Sequence, residues 1–236
     1  MTVPALREFI LRQGPSRNIL NLEWGAFWAL NKKYIDPEAA RYTAVVQNDM
    51  VYCRVSGIDS SFMATKPKYI KNLELGSKNV IYDKTIVLEQ VDAQSLKENE
   101  EITLMNWGNA YVRRISWDET GKNVTGMDLE LHLEGDVKKT IKITWLASTT
   151  SNLIPIDLVS FDYLVAKDKL EKEDRLEDFL VLNTEFRTQA FGDCNMADLP
   201  RGSFVQFERK GYYKLDVEYK GEGSRMVFFD IPSGKV

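Results

Sequence analysis

The chain has 236 residues, of which 44% are hydrophobic, and a formal net charge of −4. This composition is sufficient to bury a core in one large or two small domains. Two cysteines outside any Cys-x-x-Cys pair and a single histidine argue against a zinc site, and no apolar run approaches the 18 residues of a membrane-spanning helix. We therefore expect a cytoplasmic, reduced protein with no metal and no membrane partner.

The charge is unevenly distributed along the chain. Residues 1–90 carry 12 Lys/Arg against 9 Asp/Glu, and residues 201–236 carry 7 against 5, whereas the segments between them are acidic. A protein that binds nucleic acid is usually basic, so the net charge counts against that class. The two positive segments would still form a basic surface if they meet in space.

Two helices are predicted at the N-terminal end. The first covers residues 2–13 and stops at Gly14, and the second runs from about residue 23 to 33 and is broken at Pro37. Their apolar faces have little to pack against here. We therefore expect this chain to be part of a larger protein.

From residue 42 onward, short β-branched segments separated by turn signals are typical of a β-barrel or sandwich. A charged run at residues 167–178 is predicted to be a solvated loop with a helical turn. The predicted strands cover residues 43–47, 51–55, 79–82, 85–89, 101–105, 110–115, 126–133, 140–145, 154–159, 163–165, 179–183, 202–209, 212–216 and 225–230.

One hairpin combines aromatic residues with side chains that can recognise a nucleobase. Its first strand includes Gln206, Glu208 and Arg209, and Gly211 marks the turn. An amide, a carboxylate and a guanidinium can hydrogen-bond to the edge of a base, although a soluble hairpin with a polar face would look the same. Gln206 and Arg209 lie three residues apart, so both can meet one base only if the strand bends near Glu208 or the base sits at its edge.

No set of catalytic residues is visible in the sequence. His132 lies in an alternating strand without the partners of a catalytic triad, and no glycine-rich phosphate loop opens a helix. We expect the chain alone to catalyse no reaction and to bind no cofactor.

The segment from Gln206 to Arg209, Gln-Phe-Glu-Arg, followed by Gly211-Tyr212, resembles the last barrel of the class I glutaminyl/glutamyl-tRNA synthetases. The resemblance covers nearly all of the chain, and its N-terminal part is most similar to the eukaryotic and archaeal glutamyl enzymes. Further matching segments, in the same order, are Leu22–Trp24, Trp28–Lys33, Ile35–Pro37, Met63–Pro67, Gly76–Lys78, Asn109–Val112, Thr144-Trp145 and Leu158–Tyr163.

The resemblance implies a mainly β fold of two six-stranded antiparallel β-barrels preceded by a short α-helical segment. Residues 1–40 would link to the catalytic domain, residues 41–62 and 146–236 would form the proximal barrel, and residues 63–145 the distal barrel. The ATP-binding signatures His-Ile-Gly-His and Lys-Met-Ser-Lys-Ser are absent from the chain and are expected upstream. ATP and Mg would therefore belong to the catalytic domain of the parent enzyme.

The resemblance also implies a function, namely anticodon binding in a cytosolic glutamate–tRNA ligase. The expected partners are tRNA-Glu, the catalytic domain of the same protein, and a multi-synthetase complex reached through other regions. Two alternatives remain open. The chain could be the same region of a glutaminyl-tRNA synthetase, or a β-barrel interaction or carbohydrate-binding module unrelated to RNA.

Three residues occupy the family positions that recognise the middle base of the anticodon: Lys78, Gln206 and Arg209. Lys78 stands where the glutaminyl relatives have an arginine, which keeps the positive charge but loses the bidentate fork.

The family positions for the neighbouring bases have changed to Ser95, Thr103 and Met105, and replacement contacts are expected nearby. Trp107 would equally suit core packing. Arg113 and Arg114 are consecutive on a strand, so one of them should face solvent. The candidates are Asn106, Trp107, Arg113 and Arg114.

Overall fold

Strands dominate the fold, as the alternating pattern predicts. The structure is a computed structural model and describes residues 1–15, 22, 24–167 and 169–234. Two barrel-like sheets follow a short helical segment, which confirms the predicted mainly β class. Among the described residues, none of the helices combines the length and hydropathy needed to cross a membrane.

The two N-terminal helices form close to their predicted positions. Helix α1 covers Val3–Arg12 and helix α2 covers Trp24–Ile35, while residue 23, the predicted start of the second helix, lies outside the described residues. The helices pack through an edge-to-face contact of Phe9 with Phe27, whose ring centroids are 5.4 Å apart. A third, shorter helix, α3 (Gln90–Ser95), lies between the strands.

Most of the strands are short, as expected for this fold class, and the longest is β8 with 10 residues. In chain order they are β1 (Ala40–Tyr42), β2 (Ala44–Val46), β3 (Val51–Ser56), β4 (Phe62–Pro67), β5 (Ser77–Tyr82), β6 (Thr85–Leu88), β7 (Glu101–Leu104), β8 (Gly108–Trp117), β9 (Val124–His132), β10 (Ile141–Ile143), β11 (Leu146–Ala147), β12 (Ile154–Phe161), β13 (Glu185–Gly192), β14 (Phe204–Phe207), β15 (Gly211–Val217) and β16 (Met226–Ile231).

The two sheets have the same pairing pattern. The strand order is β1-β14-β15-β16-β12-β13-β2 in the first sheet and β10-β7-β8-β9-β3-β6-β11 in the second. When the two orders are compared from left to right, parallel and antiparallel neighbours occur at the same positions in both sheets. The order in which the chain supplies the strands of one sheet is a cyclic permutation of the order in the other sheet. Strands β4 and β5 form a separate two-stranded ribbon.

The predicted six antiparallel strands per barrel were wrong in detail. Each sheet has seven strands and two parallel pairs, which are β1 with β14 and β12 with β16 in the first sheet, and β7 with β10 and β3 with β9 in the second. Parallel neighbours need a crossover connection, so they join segments distant in sequence. The alternation of apolar and polar residues predicts a strand, but it does not identify the strand with which that strand pairs.

Pairing also shows where the chain crosses between the sheets. Strand β3 falls in the range 41–62 predicted for the proximal barrel, but it pairs with β6 and β9 of the second sheet. Strand β11, within 146–236, likewise pairs with β6. The chain therefore starts the first sheet, completes the second, and returns.

The region after β12 differs from its predicted pattern. The predicted strands at 163–165 and 179–183 are reduced to an isolated bridge between Val165 and Leu180, and the strand follows later as β13. The described part of the charged run is mostly exposed and ends in a 3-10 helix at Leu176–Phe179, as predicted, while residue 168 lies outside the described residues.

Candidate nucleic-acid interface

A cleft of about 400 Å³ opens where the two sheets and the β4–β5 ribbon meet. It gathers five cationic side chains and a single carboxylate, and it joins the two positive segments of the sequence. Four of the seven predicted site residues lie in it. Its lining consists of Arg41, Pro67, Lys68, Tyr69, Ile70, Lys71, Lys78, Met105, Asn106, Gln206, Glu208 and Arg209.

A tight turn brings Gln206 and Arg209 to the same cleft. Strand β14 ends at Phe207, and the Lys210 N–H donates to the Phe207 carbonyl at 3.0 Å. Within this turn Arg209 has φ +65°, a left-handed conformation that is unfavourable for a residue with a Cβ. The bend expected near Glu208 is therefore present, and it removes the constraint that residues three apart on a strand point in opposite directions.

The hairpin between β7 and β8 has the same turn and faces the first one. The Trp107 N–H donates to the Leu104 carbonyl at 3.0 Å, and Asn106 has φ +64°. The Asn106 amide donates to Glu208 Oε2 across the cleft at 3.3 Å. Asparagine tolerates the left-handed conformation better than most residues. Equivalent turns of the two sheets thus form opposite sides of the cleft.

Lys78 is a buried cation in the wall of the cleft, with a residue exposure of only 4%. Its Nζ donates to the Arg41 carbonyl at 2.8 Å and lies 3.8 Å from Glu208 Oε2, which also accepts from the Thr43 hydroxyl at 3.2 Å. A buried charge requires such partners. Lys78 therefore presents a held positive charge and not a mobile surface lysine.

Arg209 is oriented by the second sheet. Its Nη2 and Nη1 donate to the two carboxylate oxygens of Asp92 in α3 at 2.8 and 2.5 Å, and the neighbouring Lys210 pairs with Glu89. These Asp92 hydrogen bonds raise the pKa of the Arg209 guanidinium, so it stays charged. The Asp92 carboxylate binds the guanidinium of Arg209 through two hydrogen bonds and thereby sets the orientation of the guanidinium in the cleft.

Arg41 and Tyr69 form a stacked pair in the cleft. The Arg41 guanidinium lies 3.9 Å from the centroid of the Tyr69 ring, and both residues hydrogen-bond to Asp36, at 2.6 Å from Arg41 Nη2 and 3.2 Å from the Tyr69 hydroxyl. Arg41 also lies beside Gln206 in the β1–β14 register. Neither residue is among the site residues predicted from the sequence, although the cations and aromatic residue that precede Lys78 were a usable signal for Tyr69.

Two family models describe this chain, each for the anticodon-binding domain of class I tRNA synthetases for glutamate and glutamine (E and Q). They match residues 39–134 and 142–216. The chain belongs to this family.

Among similar proteins, a probable cytoplasmic glutamate–tRNA ligase of Schizosaccharomyces pombe is 51% identical over 100% of this chain. Cytoplasmic glutamate–tRNA ligases of Saccharomyces cerevisiae and Arabidopsis thaliana are 49% and 42% identical, again over 100% of the chain. The chain spans only 32–33% of the length of these relatives.

In this anticodon-binding chain, Arg113 and Arg114 lie outside the cleft, and both are exposed. A bulge between Val112 and Arg114 in β8 inserts Arg113 as an extra residue, which breaks the expected alternation. Arg113 Nε donates to Glu130 at 2.6 Å, and its guanidinium lies 4.7 Å from the Tyr111 centroid. Their contacts to RNA stay a prediction, and the structure does not bring them to the other candidates.

Trp107 also lies outside the cleft, although its neighbour Asn106 lines it. The indole packs against the core of the second sheet, with ring centroids 5.1 Å from Tyr82 and 4.8 Å from Trp145. The turn sends successive side chains to different sides. Its RNA contact, like that of the arginines, stays a prediction, while its packing is observed.

Replacing Trp107 with alanine should lower the free energy of unfolding by about 3 kcal/mol, because a large aromatic side chain is removed from a packed cluster. Urea unfolding measures this change, and Trp107→Phe should recover most of it. If Trp107→Ala unfolds like the wild type and yet binds RNA more weakly, the indole acts as a base contact.

Proposed function

We propose that this chain is the anticodon-binding part of a cytoplasmic glutamate–tRNA ligase and that its cleft holds the anticodon loop of tRNA-Glu. The observation that carries the proposal is the convergence of Lys78 with Gln206 and Arg209, from two distant segments of the chain, in one cationic cleft. Family membership and the names of the relatives support it.

The chemistry of the cleft suits an unpaired base with flanking phosphates. Single-stranded loops are recognised by splaying out bases and hydrogen-bonding to their edges, while phosphate contacts set position. Lys68 and Lys71, in the connection between β4 and β5, offer cations to phosphates. Gln206 and Arg209 offer hydrogen-bonding groups to a base edge.

The donors favour uracil over cytosine at the middle position. Uracil presents a carbonyl acceptor where cytosine presents an amino donor, as the exocyclic groups of thymine and cytosine also differ. Arg209 and Lys78 can only donate. Cytosine would place donor against donor, so the cleft would discriminate by an unsatisfied contact as well as by a favourable one.

Aminoacylation itself would belong to the rest of the parent protein. We propose that ATP and Mg bind in its catalytic domain, which is then a partner of this chain, and that a multi-synthetase complex is reached through other regions. In the described ranges, no group of three or more His, Cys, Asp or Glu side chains is arranged to hold a metal ion. The contribution of this chain is to position the tRNA.

Filter binding with transcripts of tRNA-Glu, tRNA-Gln and a tRNA with cytosine at the middle anticodon position tests the proposal. We expect tRNA-Glu to bind most tightly, with affinity falling as salt rises by a slope of about 0.7 per single-stranded phosphate contact. Preference for tRNA-Gln would assign the chain to a glutaminyl enzyme. Absence of salt-dependent binding to every tRNA would instead support a module unrelated to RNA.

A further inference from the structure

A second pocket, with fewer charged side chains, lies on the opposite side of the Asn106 turn from the cleft. It encloses about 310 Å³, and Phe62, Trp107, Leu131 and Leu133 contribute apolar surface to it. Asn106 lines the cleft and Trp107 lines this pocket, so adjacent residues of one turn separate the two. The function proposed above places no part of the RNA in this pocket, although one predicted RNA contact, Trp107, lines it.

Phe62 presents an aromatic face there that is already held in place. It is directly opposite Tyr82 in the β4–β5 register, and the two rings stack with centroids 4.6 Å apart and planes at 9°. The Phe62 residue is nevertheless 48% exposed. One face of the ring is therefore covered, while a large part of the side chain remains open to solvent.

Tyr82 is fixed beneath it by the same turn. The Tyr82 hydroxyl donates to the Asn106 carbonyl at 2.7 Å, and its ring packs against Trp107 and Trp145. The stack is thus rigidly connected to the rim of the cleft. A preorganised aromatic face loses little conformational entropy on binding, which favours its use as a recognition surface.

The pocket fits a nucleobase better than a phosphate. Its walls are aromatic and aliphatic, and its polar residues are Asp59 and Ser60, of which the first repels a phosphate and both can accept from a base N–H. Every base has a π-face, so stacking does not require a particular sequence. An unstacked base next to the one in the cleft has the required chemistry.

We propose that Phe62, supported by Tyr82, is a stacking platform for a second unpaired nucleobase of the RNA loop whose neighbouring base occupies the cleft. This inference rests on the proposed function. It assigns to Phe62 a role in affinity and in ordering the loop, and it leaves discrimination of the middle base to Gln206 and Arg209.

The test uses tRNA-Glu transcripts with fluorescent 2-aminopurine at single anticodon-loop positions, which reports stacking directly. With the wild-type protein we expect the fluorescence of one position to be quenched on binding, and Phe62→Leu to abolish that change, because leucine keeps apolar volume but has no aromatic face. Affinity should fall about tenfold, or roughly 1.4 kcal/mol, within the range of base stacking. The preference for uracil at the middle position and the salt slope should be unchanged.

Met63 provides the matched control, because it is the next residue on β4, is 61% exposed, and points to the other face of the ribbon. Met63→Ala should retain both quenching and affinity, and Phe62→Tyr should restore them in a folded protein. If Phe62→Leu binds and quenches like the wild type, Phe62 is no platform and the inference is overturned while the proposed function stands. If the wild type binds no tRNA, the proposed function itself fails.

Discussion

Arg209→Ala is expected to abolish most of the preference for uracil over cytosine at the middle anticodon position. A hydrogen bond to a base edge contributes about 1–3 kcal/mol, so affinity for tRNA-Glu should fall about five- to 150-fold. The transcript with cytosine already lacks this contact and should lose much less. Binding of both transcripts across a salt series measures the effect.

A phosphate contact would give a different result from the same experiment. It would weaken both transcripts alike and flatten the salt dependence by about 0.7 per contact. We expect this pattern for Lys68→Ala, whereas the exposed Arg114, which lies outside the cleft, should have the same kind of effect or none. Equal weakening of both transcripts by Arg209→Ala would show that Arg209 does not contact the middle base.

The Asp92 pair must be separated from the base contact. Removing Arg209 also leaves the buried Asp92 carboxylate without its cation and weakens a link between the two sheets. Asp92→Asn removes the charge of the partner and keeps Arg209. We expect Asp92→Asn to reduce the discrimination between uracil and cytosine less than Arg209→Ala does, because the donors of Arg209 remain but their direction is less fixed. Urea unfolding of both variants shows how much of each effect comes from a loss of stability.

Asp157→Ala should lower the free energy of unfolding by about 3 kcal/mol, the largest stability effect that we expect from a single ion-pair residue here. Asp157 lies on β12, is 7% exposed, and forms ion pairs with arginines of the two neighbouring segments of the sheet. Its Oδ2 accepts from Arg187 Nη1 at 3.0 Å, and its Oδ1 accepts from Arg225 Nε at 2.6 Å. The variant removes the buried carboxylate from two arginines beside the first sheet, of which Arg187 keeps only the exposed Glu185. The urea midpoint measures the loss.

Glu185 supplies a matched control because it pairs with the same arginine from a solvent-exposed position. Its carboxylate lies 3.1 Å from Arg187 Nη2, but its side chain is 52% exposed. Exposed ion pairs contribute about 0–1 kcal/mol, so Glu185→Ala should change stability by much less than Asp157→Ala. If the two variants unfold at the same urea concentration, burial does not decide the strength of these pairs.

Local patterns were sufficient for most of the secondary structure, though not for the region after β12, and for part of the site. The helix signals, the alternation of Val205 and Phe207 with polar residues, and the turn at Gly211 depend on neighbours within a few positions. The structure reproduces them as α1, α2 and the β14–β15 hairpin. The resemblance selected Lys78, Gln206, Arg209 and Asn106, which the structure brings into one cleft.

By itself, the sequence determined the fold class, the family and the chemical groups available for RNA binding, because periodicity, turn residues and ordered motifs are properties of contiguous segments. Only the tertiary structure decided which strands are partners, since parallel pairs such as β1 with β14 join segments more than 160 residues apart. It also decided that Trp107 packs in a core and that a bulge exposes both Arg113 and Arg114. These outcomes depend on which distant surface each side chain meets, and no local pattern contains that information.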